Sequence, residues 1–240
     1  MKNTESIQKK ILLLTIFSIA MGFLESVVVV YLRQLYYPEG FGFPLKEAIG
    51  AGFFLEYLRE ITTIVILLTV SVLAGGRTYE RFSCFLYCFG VWDIFYYVGL
   101  KVLLNWPSSL FTWDVLFLIP VVWIAPMLAP IVCATTIIIF AGFILYYQNK
   151  GYPVRINLLE WSLMLLGALV ILITFIWDYS KIIIQGRFLK SFFSLATELH
   201  FQSIVTSHIP STYNWTLYIL GEFLIFCSLV IFIGSMKSNR

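Results

Sequence analysis

Ionisable residues stand at helical spacing inside the apolar stretches of this chain, and they are where chemistry could occur. Asp93, Tyr97 and Lys101 recur every fourth residue, while Glu56, Arg59 and Glu60 stand at i, i+3 and i+4. On a helix each set shares roughly one face. Glu25 and Glu222 lie singly in two other apolar runs, and Trp113-Asp114 leads into a proline-interrupted one. Carboxylates held out of water bind cations or relay protons when they lack counter-charges. In pairs they can also serve as general acid and base. Against Glu25, Glu60, Asp93 and Glu222 the same layer offers Arg59, with Lys101 at its rim. About two carboxylates are left over even if both bases are paired, so at least one is expected to be protonated or to hold a cation. The competing reading is that these groups only pin helices together through salt bridges.

The elements that must position them are membrane spans. Of the 240 residues 60% are apolar and 12% are charged, against about 25% charged in a soluble domain. That leaves too few charges to cover a water-exposed surface, and it excludes disorder, collagen and a disulfide-stapled secreted domain. A net charge of +3 gives no reason to expect nucleic acid. Apolar runs of about eighteen residues or more recur, each able to cross a hydrocarbon core of about 30 Å. The fold class that follows is all-α integral membrane, with six transmembrane helices over 11–32, 55–76, 82–104, 130–147, 156–177 and 215–234. No linker divides the chain, so it reads as one domain. Lys2, Lys9 and Lys10 before the first run give it the look of an uncleaved signal anchor, since its apolar character continues past Ala20.

Pro120, Pro126 and Pro130 interrupt the fourth apolar region. Each lacks a backbone donor and clashes with the preceding turn, which predicts a broken or re-entrant segment over 110–128 before the fourth span. The long connection 178–214 mixes Phe188, Phe192, Phe193 and Phe201 with Lys190, Glu198 and His200, a pattern that suits a helix lying in the membrane interface.

Basic residues concentrate in the short segments that hold Lys9, Lys10, Arg77, Arg81, Lys150, Arg155 and Lys237. The positive-inside bias then places both termini in the cytoplasm, in a plasma (inner) membrane. Counting from these residues at about 1.5 Å each sets Glu25, Glu60, Asp93 and Glu222 in the middle and outer half of the bilayer. If the helix faces meet there, they form a pocket opening outward, with Trp92, Tyr96 and Tyr97 as an aromatic wall.

Other chemistries find no support. The two histidines, His200 and His208, lie at irregular spacing in the outer connection, so no HExxH or bis-histidine site exists and no metal or cofactor is expected. Cys84 and Cys88 are four apart, not a CxxC pair. No GxGxxG, GxxxxGK or GxSxG occurs.

The stretches Gly90-Val-Trp-Asp-Ile-Phe-Tyr-Tyr97, Leu110-Phe-Thr-Trp-Asp-Val-Leu-Phe-Leu-Ile-Pro120 and Glu25-Ser-Val-Val-Val-Val-Tyr-Leu-Arg33 resemble segments of uncharacterised prokaryotic multi-pass membrane proteins with no assigned activity. The resemblance covers roughly residues 17–145. It carries no residue roles, and it implies that the first four spans are the working part.

Three functions are compatible with these observations. The first is a binding or transport protein whose outward pocket takes a proton, a cation or a small amphiphilic substrate. The second is a membrane-embedded enzyme acting on a lipid or lipid-linked substrate at the outer leaflet, a reading that finds no nucleophile. The third is a structural or assembly subunit of a larger complex. The lipid bilayer is the one partner common to all three. A homodimer would be the natural remedy for six spans without an internal repeat.

Overall fold

The computed structural model describes residues 2–46, 51–188 and 199–238. In chain order the elements are α1 (Lys2–Tyr36), α2 (Ala51–Ala74), α3 (Thr78–Leu104), β1 (Trp113–Phe117), β2 (Trp123–Pro126), α4 (Leu128–Asn149), α5 (Leu158–Gln185), α6 (Leu199–Val205) and α7 (Trp215–Ser238). All helices except α6 are long and apolar enough to cross a membrane. The protein is therefore an all-α integral membrane protein with six spans. Large side chains such as Leu13, Leu24, Val65 and Leu73 stay exposed along them, as lipid-facing positions should.

Lipid offers no hydrophobic drive for helix association, so close backbone approach must supply the packing. Small residues sit where helices meet. A Cβ at Gly22 of α1 would lie 2.6 Å from the Trp92 carbonyl oxygen of α3, and one at Gly90 would lie 2.7 Å from that of Ala134 on α4. Gly167 of α5 and Gly221 of α7 face each other in the same way, at 2.6 Å from Cβ to the Gly221 oxygen. The bundle thus falls into α1–α3 on one side and α5–α7 on the other, joined through α3 against α4. Buried hydroxyls within it are satisfied locally: Ser18, Ser26 and Ser71 each donate to the carbonyl four residues earlier, at 2.6–2.7 Å.

The proline-interrupted segment takes the form of a β-hairpin. Strands β1 and β2 pair antiparallel, with Asp114 opposite Ala125 and a bulge between Val115 and Phe117. Non-helical backbone at membrane depth is tolerated only where it is enclosed by protein. Ile124 and Ala125 are accordingly at 1% and 0% exposure, and β2 rests against α5. The hairpin caps one end of the bundle, where α1 and α3 end and α2, α4 and α7 begin. The opposite end holds the Lys10–Glu80 ion pair between α1 and α3.

Several boundaries differ from those read in the sequence. Helix α1 continues past 32 to Tyr36, and α5 continues past 177 to Gln185, so the long connection starts at Gly186 and not at 178. The expected interfacial helix is represented by the short α6. Residues 189–198, with Lys190, Phe192, Phe193 and Glu198, lie outside the described residues, as does the side chain of His200.

Candidate functional site

At the hairpin end a cavity of about 190 Å³ lies between α1, α2, α3 and the hairpin. Helix α1 contributes Glu25 and, two turns further on, Arg33; α2 contributes Glu56, Arg59 and Glu60 from consecutive turns. Because α1 and α2 barely touch, the link between them here is electrostatic. The Arg59 guanidinium reaches Glu25 on α1, and its Nε donates to Glu56 at 2.7 Å. One cation thus serves two carboxylates.

Glu60 is treated differently. It is 6% exposed, and both its oxygens accept from the backbone N–H of Leu118, at 2.9 and 3.1 Å. That amide would otherwise be an unpaired donor at the end of β1. The carboxylate ties α2 to the hairpin but receives no cation within ion-pair distance.

Asp114, 1% exposed on β1, pairs with Arg33 at 3.1 Å. The Arg33 guanidinium carbon lies 3.7 Å from the Trp106 centroid and 4.3 Å from that of Phe41, two rings set edge to face in a corner that receives its planar, weakly hydrated head. Burial pushes the Asp114 carboxyl up to about 6, partly offset by the Arg33 charge, the Val115 amide and the nearby Tyr97 and Tyr96 hydroxyls. Three buried polar atoms at this wall close no hydrogen bond: Asp114 Oδ2, Arg33 Nη1 and Trp92 Nε1.

Asp93 on α3 is half-buried at the cavity wall. Among the described residues no hydrogen bond or ion pair reaches its carboxylate. Beside it Tyr97 has both Asp93 and Asp114 as charged neighbours. Trp92 and Tyr96 complete the aromatic side of the wall. Near the mouth, burial raises the Tyr37 phenol, whose oxygen accepts from the Lys46 backbone N–H at 2.7 Å. Five carboxylates line the cavity against three cations, Arg33, Lys46 and Arg59. The excess is two negative charges when all are ionised.

Seven of the nine residues singled out in the sequence therefore line one cavity: Glu25, Glu56, Arg59, Glu60, Asp93, Tyr97 and Asp114. Lys101 does not. Its Nζ turns back to the carbonyls of Pro107 and Asn105, at 3.1 and 3.4 Å, where it caps the end of α3. Eight residues advance a helix by two turns and about 80°, enough to carry Lys101 off the Asp93 face. Glu222 does not either. It sits on α7 against α4, accepting from Thr136 and Tyr218 at 2.9 Å and from Cys133 at 3.2 Å. Arg33, Lys46 and Tyr37 are cavity residues that the sequence reading did not single out. Arg33 reaches the cavity because α1 continues past 32 to Tyr36, which keeps its long side chain on a helix beside the hairpin.

His208 meets Asp178 at 3.4 Å, across the bundle on α5. Among the described residues no group of three or more His, Cys, Asp or Glu is placed to hold a metal ion. No family model, curated protein or solved structure matches the chain.

Proposed function

We propose that this protein binds, and as a transporter would carry, a proton, a cation or a small cationic amphiphile in the cavity at the hairpin end. The observation that carries this reading is the Asp93 carboxylate, which opens onto a protein-lined cavity at membrane depth with no counter-charge of its own. A structural carboxylate in that position would be expected to have a partner, because an uncompensated charge away from water is costly. Glu60 adds a second carboxylate without a cation, and the surplus of two negative charges fits a positively charged occupant. Interrupted backbone beside the cavity is also where transporters often place their sites.

The basic residues of the short connections favour a plasma (inner) membrane with both termini in the cytoplasm, so that the cavity faces outward. The likeness of residues 17–145 to uncharacterised prokaryotic multi-pass proteins agrees with a working region in the first four spans. The enzymatic reading is weaker, since none of the cavity-lining residues is a serine, cysteine or histidine.

The test is native mass spectrometry of the protein extracted gently from its own membrane. A retained ion, lipid or metabolite that disappears in Asp93→Asn supports the cavity as a binding site. A stoichiometric protein partner with no small ligand would overturn it in favour of an assembly subunit.

A further inference from the structure

The unmet hydrogen bonds on the cavity wall narrow the class of cation. We infer that the occupant is a protonated primary amine carrying a small apolar or aromatic group, an inference that rests on the cation-binding reading above. The Asp93 carboxylate at the cavity wall lacks a donor among the described residues, and the enclosed Asp114 adds a second negative charge close to it. Both carboxylates neighbour Tyr97, so they border the same part of the space. A primary ammonium brings three N–H donors and a positive charge, and so can bond Asp93 directly while its charge offsets that of Asp114. A quaternary ammonium brings the charge but no donor. A divalent metal ion requires a shell of converging oxygen ligands, and no such group is present among the described residues. A proton on Asp93 would meet its charge while leaving the volume unfilled.

Size and wall chemistry agree. An apolar cavity of about 150 Å³ holds a benzene ring, so about 190 Å³ has room for a ring and a short ammonium arm. Trp92 and Phe117 meet edge to face at 6.3 Å, and Tyr96 packs against Tyr97 at 4.9 Å. Their faces offer contact for an apolar group and attraction for a cation beside it. A free amine and the headgroup of an aminophospholipid offer this same ammonium chemistry.

The experiment is calorimetric titration of the full chain in phosphatidylcholine nanodiscs with phenethylammonium, phenethyltrimethylammonium, 3-phenylpropanoate and sodium ion. The expected result is saturable one-to-one binding of phenethylammonium, with the trimethyl and anionic analogues weaker by roughly tenfold or more. Asp93→Asn should weaken phenethylammonium by a similar factor. Repeating the titration with phosphatidylethanolamine in the disc separates the sources. Unchanged affinity identifies a free amine, and competition identifies the lipid headgroup. Equal or tighter saturable binding of the trimethyl analogue or sodium to the wild-type chain overturns the primary amine and leaves the cation cavity standing. Binding of no cation by the wild-type protein overturns both. The ligand series is run on the wild-type chain, so the answer does not hang on the folding of a variant.

Discussion

Glu160 and Asp93 are both carboxylates enclosed by the bundle, in opposite halves of the molecule, and their surroundings could hardly differ more. Glu160, at 0% exposure, accepts from the Asn157 backbone N–H at 2.8 Å and from the Ser235 hydroxyl at 3.1 Å. Its own backbone N–H is capped by Asn157, which closes a reciprocal capping box at the start of α5. Ser228 of α7 donates to its carbonyl at 2.7 Å. Every one of these bonds ties α5 to its own first turn or to α7, so the residue explains itself as structure. Glu222 in the same half is likewise met by three donors. On the other side, among the described residues, Asp93 meets none, Glu60 meets one backbone amide, and Asp114 keeps one enclosed oxygen without a close donor. A buried carboxylate becomes a candidate for function when its bonds do not close, and a count of charges within spans cannot tell the two kinds apart.

The most severe way to break the contrast is to remove the buried Arg33–Asp114 ion pair of the cavity half. Arg33→Met leaves Asp114 as an uncompensated charge at 1% exposure and takes the cation from beside the rings of Trp106 and Phe41. A loss of about 3–5 kcal/mol is expected, as for other broken buried pairs, read as reduced unfolding stability in detergent. An unchanged melting temperature would mean that the pair does not hold the hairpin to α1.

The next effect is a pH dependence. The Asp114 carboxyl is raised from 3.8 to about 6 in the folded chain. The folded state then binds a proton more tightly than the unfolded state, and the associated stability is fully present below about 4. It is lost as pH rises through about 6, with an upper bound of about 3 kcal/mol. Asp114→Asn should abolish this part of the slope, so the difference between variant and wild-type unfolding curves, taken from pH 4 to pH 7, isolates it. A difference that does not vary with pH would show that Asp114 stays ionised throughout.

Glu160→Ala should cost less, about 2 kcal/mol, through loss of the cap and two unpaired donors. It should leave ligand retention in the cavity unchanged, since α5 and α7 lie on the far side of the bundle. Loss of ligand in this variant, with the fold intact, would dissolve the division between the halves.

The same division explains what could be read from the sequence. Length and apolarity identify spans, so the six helices were legible, and helical spacing placed Glu56, Arg59 and Glu60 together. Arg33 was missed because its charge marked the end of a span, whereas its head packs against the rings of Phe41 and Trp106, the latter distant in sequence. The hairpin was legible as an interruption through Pro120 and Pro126 but not as strands, because its alternation is hidden in uniformly apolar surroundings. Glu222 was grouped with the others by depth, and Lys101 by a spacing of four carried over two turns. Depth says nothing of azimuth, and only the packing of α7 on α5 and the 80° drift along α3 show that they face elsewhere.

The smallest expected change is also the sharpest. Asp93→Asn is nearly isosteric and removes a charge to which the fold supplies no partner, so its folded state loses no hydrogen bond and sheds a desolvation cost. Unfolding stability should therefore stay within about 0.5 kcal/mol of wild type or rise, the range of substitutions that break no packing or bonding feature. Ligand retention, in contrast, should fall. The two readouts must separate, because a group kept for function contributes to binding and not to folding. Should Asp93→Asn destabilise the chain as much as Glu160→Ala, the carboxylate would have a structural partner after all, and the cavity would lose the residue on which its assignment depends.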